Sequence, residues 1–316
     1  MSNLKTRSID YERLDSKIIF SPEKVMSPVI VESTSGWVEV NGIKFRGMVE
    51  LHNLVSSICV INVVRLDDYL CAVVPSEMSA TWPVEALKAQ AVAARTYAWY
   101  HILKKKTEMY DLDSTTNFQV YKGIAVETPL TTKAVQETAG QIIVWENSPV
   151  LAFFHSTCGG STIDSKYVWN GESLPYLRDV KCEYCAQSPY YRWDEKLSMP
   201  EIKQYIGHRY GNVGQIQGLT FDRYRGRVVQ ATVRHRNGIL KLSGNDFRMM
   251  FPEKKIKSMY FETVKAGKGL ELKGRGWGHG VGMCQYGAKG MAEKGSDYKN
   301  ILQYYYRGIS IVAISR

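Results

Sequence analysis

No apolar run in the sequence is long enough to cross a bilayer, and residues 1 to 27 are polar with no leader-like hydrophobic stretch. A membrane span or secretory leader is therefore not expected within the stretch given. Phosphate-cradling loops are missing too. Nothing matches G-x-x-x-x-G-K-[ST], and the glycines at every second position from Gly274 to Gly282 are out of register with G-x-G-x-x-G. This sets P-loop and dinucleotide chemistry aside. The formal net charge of +10 would suit nucleic acid, but helix-turn-helix, zinc-finger and RNP-like patterns are all lacking, so nucleic acid is not the expected partner. Internal repeats and low-complexity linkers are absent as well.

What remains is a chain of 316 residues, 44% hydrophobic, enough to bury a substantial core in one large or two modest domains. Its basic residues are spread along the chain rather than gathered in one tract, which points to an extended anionic partner such as a teichoic acid, an anionic glycan or a membrane surface. Alternating stretches at 29 to 32, 37 to 40, 44 to 51 and 58 to 64, with a turn at Asn41-Gly42, predict antiparallel strands. Further strands are expected at 141 to 145 and 150 to 154.

A long helix is predicted from 85 to 103: Pro83 suits its first turn, and no Gly or Pro interrupts the run. Small or apolar residues at Val84, Leu87, Ala91, Ala94, Ala98 and Ile102 keep helical spacing and mark a buried stripe, while Lys88, Arg95 and Trp99 fall on another face. Residues 186 to 270 form a second or inserted module, with a helix at 199 to 205 and strands 228 to 236 and 239 to 242 joined across Asn237-Gly238. Its arginines Arg223, Arg225, Arg227, Arg234 and Arg236 are expected on a solvated strand face. A last helix is predicted at 298 to 306, capped by Asp297 and closed before Gly308.

The expected fold class is α+β, with antiparallel strands packed around the alanine-rich helix and a smaller β-rich module beside it. The expected organisation is a polar segment 1–27, a core 28–185, the second module 186–270, and a segment 271–316 completing the core.

Three segments carry chemistry. Pro75-Ser76-Glu77-Met78 puts one carboxylate just ahead of the long helix, in a stretch that reads as irregular, where a side chain can be held in a cleft. From spacing alone the commoner reading is a solvated loop acid. The alternating glycines of 274 to 282 would, in an extended chain, leave one side bare and project Arg275, Trp277, His279, Val281 and Met283 from the other. His279 there is either a ligand-lining group or a hydrogen-bonded structural one.

Cys182 and Cys185 are spaced C-x-x-C, and His155 and Cys158 repeat that spacing upstream, which is how chains commonly supply a tetrahedral zinc site. The competing readings are a Cys182–Cys185 disulfide and a Cys158 nucleophile served by His155 or His279. The expectation adopted is one structural zinc on Cys158, Cys182, Cys185 and His155, with His279 or water able to replace His155. Cys59 and Cys71 lie in apolar runs and read as small buried hydrophobes.

Tyr69-Leu70 to Glu77-Met78, Trp82-Pro83 to Thr96-Tyr97, His155-Ser156-Thr157-Cys158-Gly159-Gly160 and Gly276-Trp277-Gly278-His279-Gly280-Val281-Gly282-Met283 resemble, in order, the motifs of the stage II sporulation protein D family. That family also contains the LytB amidase enhancers, and the likeness covers most of residues 28 to 312. It implies a lytic transglycosylase, a lyase that cuts peptidoglycan glycan strands during engulfment in sporulation, with Glu77 as the acid and Lys88, Arg95, His279, Trp277 and Gln285 holding the glycan. It also implies an extracytoplasmic protein held by an N-terminal membrane anchor absent from this chain. The implied partners are a cell-wall amidase or endopeptidase and membrane proteins of the engulfment machinery. The second implied role is a non-catalytic glycan-binding enhancer of such an amidase.

Overall fold

The computed structural model describes residues 28–54, 57–104, 109–115, 118–169, 171, 173–251, 255–266 and 269–314. Residues 1–27, the expected polar segment, lie outside that set. The chain is α+β, and its buried apolar residues gather in three clusters.

The smallest cluster lies under the N-terminal strands. β1 (Val29–Val31) and β5 (Ile58–Val63) flank β4 (Met48–Asn53), all antiparallel. β2 (Trp37–Val40) and β3 (Ile43–Arg46) form a hairpin whose turn residues Asn41 and Gly42 take φ of 51° and 79°, the left-handed pair that a two-residue hairpin requires. The single strand expected at 44 to 51 is broken at Gly47, where φ is 75° and a Cβ would strike the Val63 carbonyl. The chain turns there and takes a new partner.

The main core is built around α2 (Val84–Lys104), on which α1 (Leu66–Glu77), α3 (Pro129–Glu137), α7 (Gln285–Glu293), α8 (Tyr298–Tyr305) and β6 (Gln141–Trp145) all pack. Ala86, Ala89, Ala91, Ala93, Ala94 and Ala98 are fully buried, so the middle of the helix is enclosed on all sides. Small side chains around the whole circumference allow neighbouring backbones to approach from every direction. The helix therefore lacks the solvent face on which Arg95 was expected. α1 is a further helix that the sequence reading left out. Asp67 and Asp68 in its first turn complement the helix dipole, and Leu70, Val73 and Val74 enter the core.

β6 lies between β7 (Ser148–Pro149) and β16 (Ser310–Ala313). Of the strand expected at 150 to 154, only its end is regular: β8 (Phe154–His155) runs parallel to β15 (Met283–Cys284). α4 (Lys166–Trp169) follows.

The third cluster belongs to the segment 193–274. β10 (Ile216–Tyr224), β11 (Arg227–His235) and β12 (Gly238–Ser243) form one antiparallel sheet, and β9 (Trp193–Ser198), β14 (Gly269–Gly274) and β13 (Phe261–Ala266) form another. α5 (Met199–Tyr210) starts with a Ser198/Glu201 capping box, and α6 (Gly244–Met249) follows β12. Ile202, Ile206, Val233, Phe247, Phe261 and Leu272 fill the space between them.

After β14 the glycine-rich chain is not a strand. Gly276, Gly278, Gly280 and Gly282 all have positive φ, between 69° and 106°. Their alternation thus supplies repeated left-handed turns rather than one bare face. Thr157 and Trp277 exchange backbone hydrogen bonds at 3.0 and 2.8 Å, and Met283 N–H donates to the Phe153 carbonyl at 3.0 Å, so this ribbon is sewn along the segment that carries Cys158.

Candidate active site and candidate metal centre

Glu77 is the last residue of α1, not part of an irregular loop: Met78 N–H still bonds to the Val74 carbonyl at 2.9 Å. Its half-buried carboxylate accepts a hydrogen bond from Val120 N–H at 3.2 Å. The segment bearing Val120 is fixed on both sides. Tyr69 donates to buried Gln119 Oε1 at 3.2 Å, Gln119 Nε2 donates to the Ala94 carbonyl at 3.3 Å, and Tyr121 donates to Asn62 Oδ1 at 2.8 Å.

Burial, and after it the Glu77 charge, pushes the Tyr69 hydroxyl well above the usual phenol range. Burial, and after it Asp113, pushes Tyr97 up to about 12. The Tyr69 phenol therefore stays a protonated donor within reach of the Glu77 charge, and a carboxylate held there can pass a proton to or from a group bound against it. Asp113 is a second acid whose charge reaches Tyr69, and it also reaches Tyr97, but its Oδ1 accepts from Thr115 N–H and Oγ1 at 2.8 and 2.6 Å. The Gln119–Tyr121 segment went unmarked in the sequence because it lies far from α1 along the chain and only folding brings it to Tyr69 and Glu77.

Two of the expected glycan-holding residues point elsewhere. The Arg95 side chain is 1% exposed, pairs with Asp67 at 2.8 Å, and donates to the Gln141 and Val135 carbonyls at 3.3 and 3.1 Å. It is a core residue joining α1, α2, α3 and β6. Lys88 lies between Glu85 and Glu137 at 3.0 and 2.8 Å, and these hydrogen bonds hold its ammonium pKa above the usual range.

The other three expected residues lie along the glycine-rich ribbon and its exit. Trp277 is half-buried, edge-on to Tyr190 at 4.0 Å. His279 donates from Nε2 to the Phe154 carbonyl at 3.0 Å and accepts at Nδ1 from Val281 N–H at 3.1 Å. Both ring nitrogens are thus used and the neutral tautomer is fixed. Enclosure, with His155 adding to it, holds its pKa well below the usual histidine range. Gln285 is buried and donates to Gln90 Oε1 at 3.4 Å, tying α7 to α2.

The cysteines converge. The Sγ atoms of Cys158, Cys182, Cys185 and Cys284 all lie within 4.8 Å of one another, and Cys158 and Cys185 are 3.4 Å apart. A tetrahedral zinc with four bonds of ~2.3 Å has sulfur–sulfur edges of about 3.8 Å, so the observed set brackets what such an ion needs. Three segments meet here. Cys182 N–H bonds to the Gly160 carbonyl at 2.9 Å, which joins the Cys182 loop to the Cys158 loop, and β8–β15 pairing brings in Cys284 as the N-cap of α7.

Around the sulfurs, Cys158 N–H and Gly287 N–H donate to Cys284 Sγ at 3.2 and 3.3 Å, and the Tyr305 hydroxyl lies 3.2 Å from Cys182 Sγ. Such contacts suit thiolate acceptors. In the bare cluster, hydrogen bonds from Cys158 lower the Cys182 and Cys185 thiols, the Cys158 thiol is raised by its contact with Cys182, and burial raises Cys284. Gly287 makes room for the group: a Cβ there would fall against the Tyr305 hydroxyl and Cys182 Sγ.

Cys284, not His155, completes the four. His155 is 4% exposed, its Nδ1 donates to the Val281 carbonyl at 3.0 Å, and its buried Nε2 has no partner. Burial, and after it the Arg227 charge, lowers its pKa to about 3. The x-x spacing could not have picked out Cys284, which sits alone 99 residues beyond Cys185 and is delivered by the parallel β8–β15 pair.

A sequence profile described as Stage II sporulation protein matches residues 55–145, and one for a domain of unknown function matches residues 181–282. An uncharacterized protein of Brachyspira hyodysenteriae is 35% identical over 291 residues, spanning 91% of this chain and 77% of that protein. Stage II sporulation protein D of Bacillus subtilis is 34% identical across 78% of this chain and 74% of its own length. An amidase enhancer of the same organism is 31% identical across 77% of this chain and 40% of its own length. Among the described residues, no helix is long and apolar enough to cross a membrane.

Proposed function

The chain belongs to the stage II sporulation protein D family, and from that premise we propose that it is a lytic transglycosylase. It would cleave the MurNAc-GlcNAc bonds of peptidoglycan glycan strands and leave anhydro ends, outside the cytoplasm and in the context of sporulation. The observation that carries this reading is Glu77 at the end of α1, its carboxylate set by Val120 N–H and its charge felt by the Tyr69 hydroxyl, which stays protonated.

A hydrolysing glycosidase uses two carboxylates, one to protonate the leaving oxygen and one to attack or to activate water. A transglycosylase needs one. Glu77 protonates the glycosidic oxygen, the bond to C1 breaks, and Glu77 as carboxylate then takes the proton of the muramic acid C6 hydroxyl as that oxygen closes on C1. The nucleophile belongs to the substrate, so the entropic advantage of an internal attack replaces a second protein group. Trp277, half-buried along the ribbon, offers a surface for a sugar ring, whereas the His279 ring is packed among Phe153, His155 and Trp169. Lys88 and Arg95 act instead through the scaffold, Lys88 tying α2 to α3 and Arg95 tying α2 to α1, α3 and β6.

The four cysteines would hold one zinc. With four protein sulfurs such a site is closed, and the ion would supply a cross-link between the Cys158 loop, the Cys182 loop and α7, leaving the acid–base work to Glu77.

The test is mass analysis of products from purified glycan strands, with Glu77→Gln alongside wild type. Wild type should yield 1,6-anhydro ends, and the variant should melt like wild type, bind glycan and yield none. Reducing ends would overturn the reading and turn attention to Asp113 as the second acid. A second reading, favoured by the likeness to an amidase enhancer, is a glycan-binding protein that stimulates a cell-wall amidase. Stimulation that persists in Glu77→Gln, with no cleavage by either protein, would select it.

A further inference from the structure

Arg227 was expected on the solvated arginine face of the second module. Arg223, Arg225, Arg234 and Arg236 are at least partly exposed, but Arg227 is 2% exposed. It opens β11 directly after the Arg225-Gly226 turn, whose residues take φ of 49° and 80°, and the reversal aims its side chain out of the module into the main core. There Nη2 donates to the carbonyl of Cys158, one of the four clustered cysteines, and to that of Ser161 at 2.6 Å. Its guanidinium lies 4.8 Å from the Tyr260 ring centroid. On the opposite side is Gly280, where a Cβ would come within 2.8 Å of Nη1 and 2.9 Å of Cζ.

The surroundings leave this cation unbalanced by the usual means. Among the described residues no carboxylate is within ion-pair distance of it, and its buried Nε has no hydrogen-bond partner. A buried, uncompensated guanidinium is strongly unfavourable, and proteins meet it with an opposite charge nearby. The acidic groups whose charge reaches Arg227 are Cys158, Cys185 and Cys284, together with the Tyr260 phenol. Four thiolates around a divalent cation carry a net charge of about −2, which is also unfavourable when buried without a counter-charge.

Resting on the zinc reading above, we infer that Arg227 is the counter-charge of the metal–thiolate group, a positioning residue sent from the second module to stabilise four ionised cysteines in the core. Each of the two buried charges accounts for the other. The same side chain fixes the Cys158 backbone, so it both orients a ligand and offsets the charge of the set.

The test compares zinc affinity of wild type, Arg227→Met and Arg227→Lys by competition with a chromophoric chelator, with cobalt(II) spectra of the same proteins. Arg227→Met has similar bulk and no charge. Its apparent Kd for zinc should rise about 10- to 100-fold, the range for loss of a group supporting a metal ligand. Cobalt thiolate bands should show all four sulfurs still bound. Arg227→Lys should return to within about threefold of wild type, because charge rather than the guanidinium fork is what the site needs.

Zinc affinity within twofold of wild type in folded Arg227→Met overturns the inference and leaves the metal reading standing. Should that variant fail to fold, Arg227→Lys decides: a loss of tenfold or more assigns the residue to packing and hydrogen bonding. Wild type that takes up no zinc removes both the metal reading and the counter-charge.

Discussion

Replacing Arg95 with alanine separates a core role from a substrate role. Its guanidinium binds Asp67, 36% exposed, and the carbonyls of Gln141 and Val135. The ion pair is half open to water on the Asp67 side, so after screening its loss accounts for about 1 kcal/mol, and Asp67 can rehydrate. The two carbonyls are left beside a void, at about 1 kcal/mol each, because Val135 O keeps its Thr138 hydroxyl partner at 3.3 Å. The space vacated by a fully buried side chain adds roughly 1–2 kcal/mol.

The sum is about 4–5 kcal/mol. With an unfolding entropy of roughly 2.1 cal/mol/K per residue, a chain of this length should lose about 6–8 °C in Tm. Circular dichroism melting measures it, and glycan binding well below the transition supplies the control. Arg95→Ala should melt early yet bind glycan like wild type when cold. An unchanged Tm with lost glycan binding would refute the assignment and return Arg95 to the substrate.

Cys284→Ser should lower zinc content, whereas His155→Asn should leave stoichiometry at one ion per chain; elemental analysis of both distinguishes the ligand sets. Stability should fall steeply with acid. His155 and His279 keep depressed pKa values in the fold, so below about pH 6.5 the unfolded chain binds protons that the folded chain does not, stability is lost as pH drops, and two such groups give a slope of up to about 2.7 kcal/mol per pH unit. Denaturant melts between pH 7 and 4 check this, and a flat profile would show both imidazoles charging freely in the fold. Gly287→Ala should destabilise by roughly 1–3 kcal/mol through overpacking against Tyr305 and Cys182, and zinc should be released faster to a chelator; a variant indistinguishable from wild type would mean that this corner is loosely packed.

Local chemistry made much of this legible in advance. α2 and α8 follow from uninterrupted runs with clear starts: Asp297 caps Asn300 N–H at 2.7 Å as expected. The β11–β12 hairpin forms where expected, but its turn residues are Arg236 and Asn237, with Gly238 already paired opposite His235. The failures share one cause, dependence on a distant partner. Glycine alternation looked like a strand because periodicity records side chains, whereas here the glycines serve positive φ against a neighbouring backbone. Arg95 and Arg227 looked like surface cations because charge alone does not disclose an acceptor 28 or 69 residues away. Glu77 was marked by its own motif, but the Val120 N–H that aims it was not.

The parallel pairing of β8 with β15 also sets an order of assembly. As the chain is made, Cys158, Cys182 and Cys185 emerge together, while Cys284 follows only after the whole of the second module. Loop-closure entropy for that last contact is spread over a long intervening chain, and contacts of such sequence separation form late. The cysteine group is thus finished by the final helices: three sulfurs wait for the fourth, and the core closes around them when α7 and α8 dock on α2.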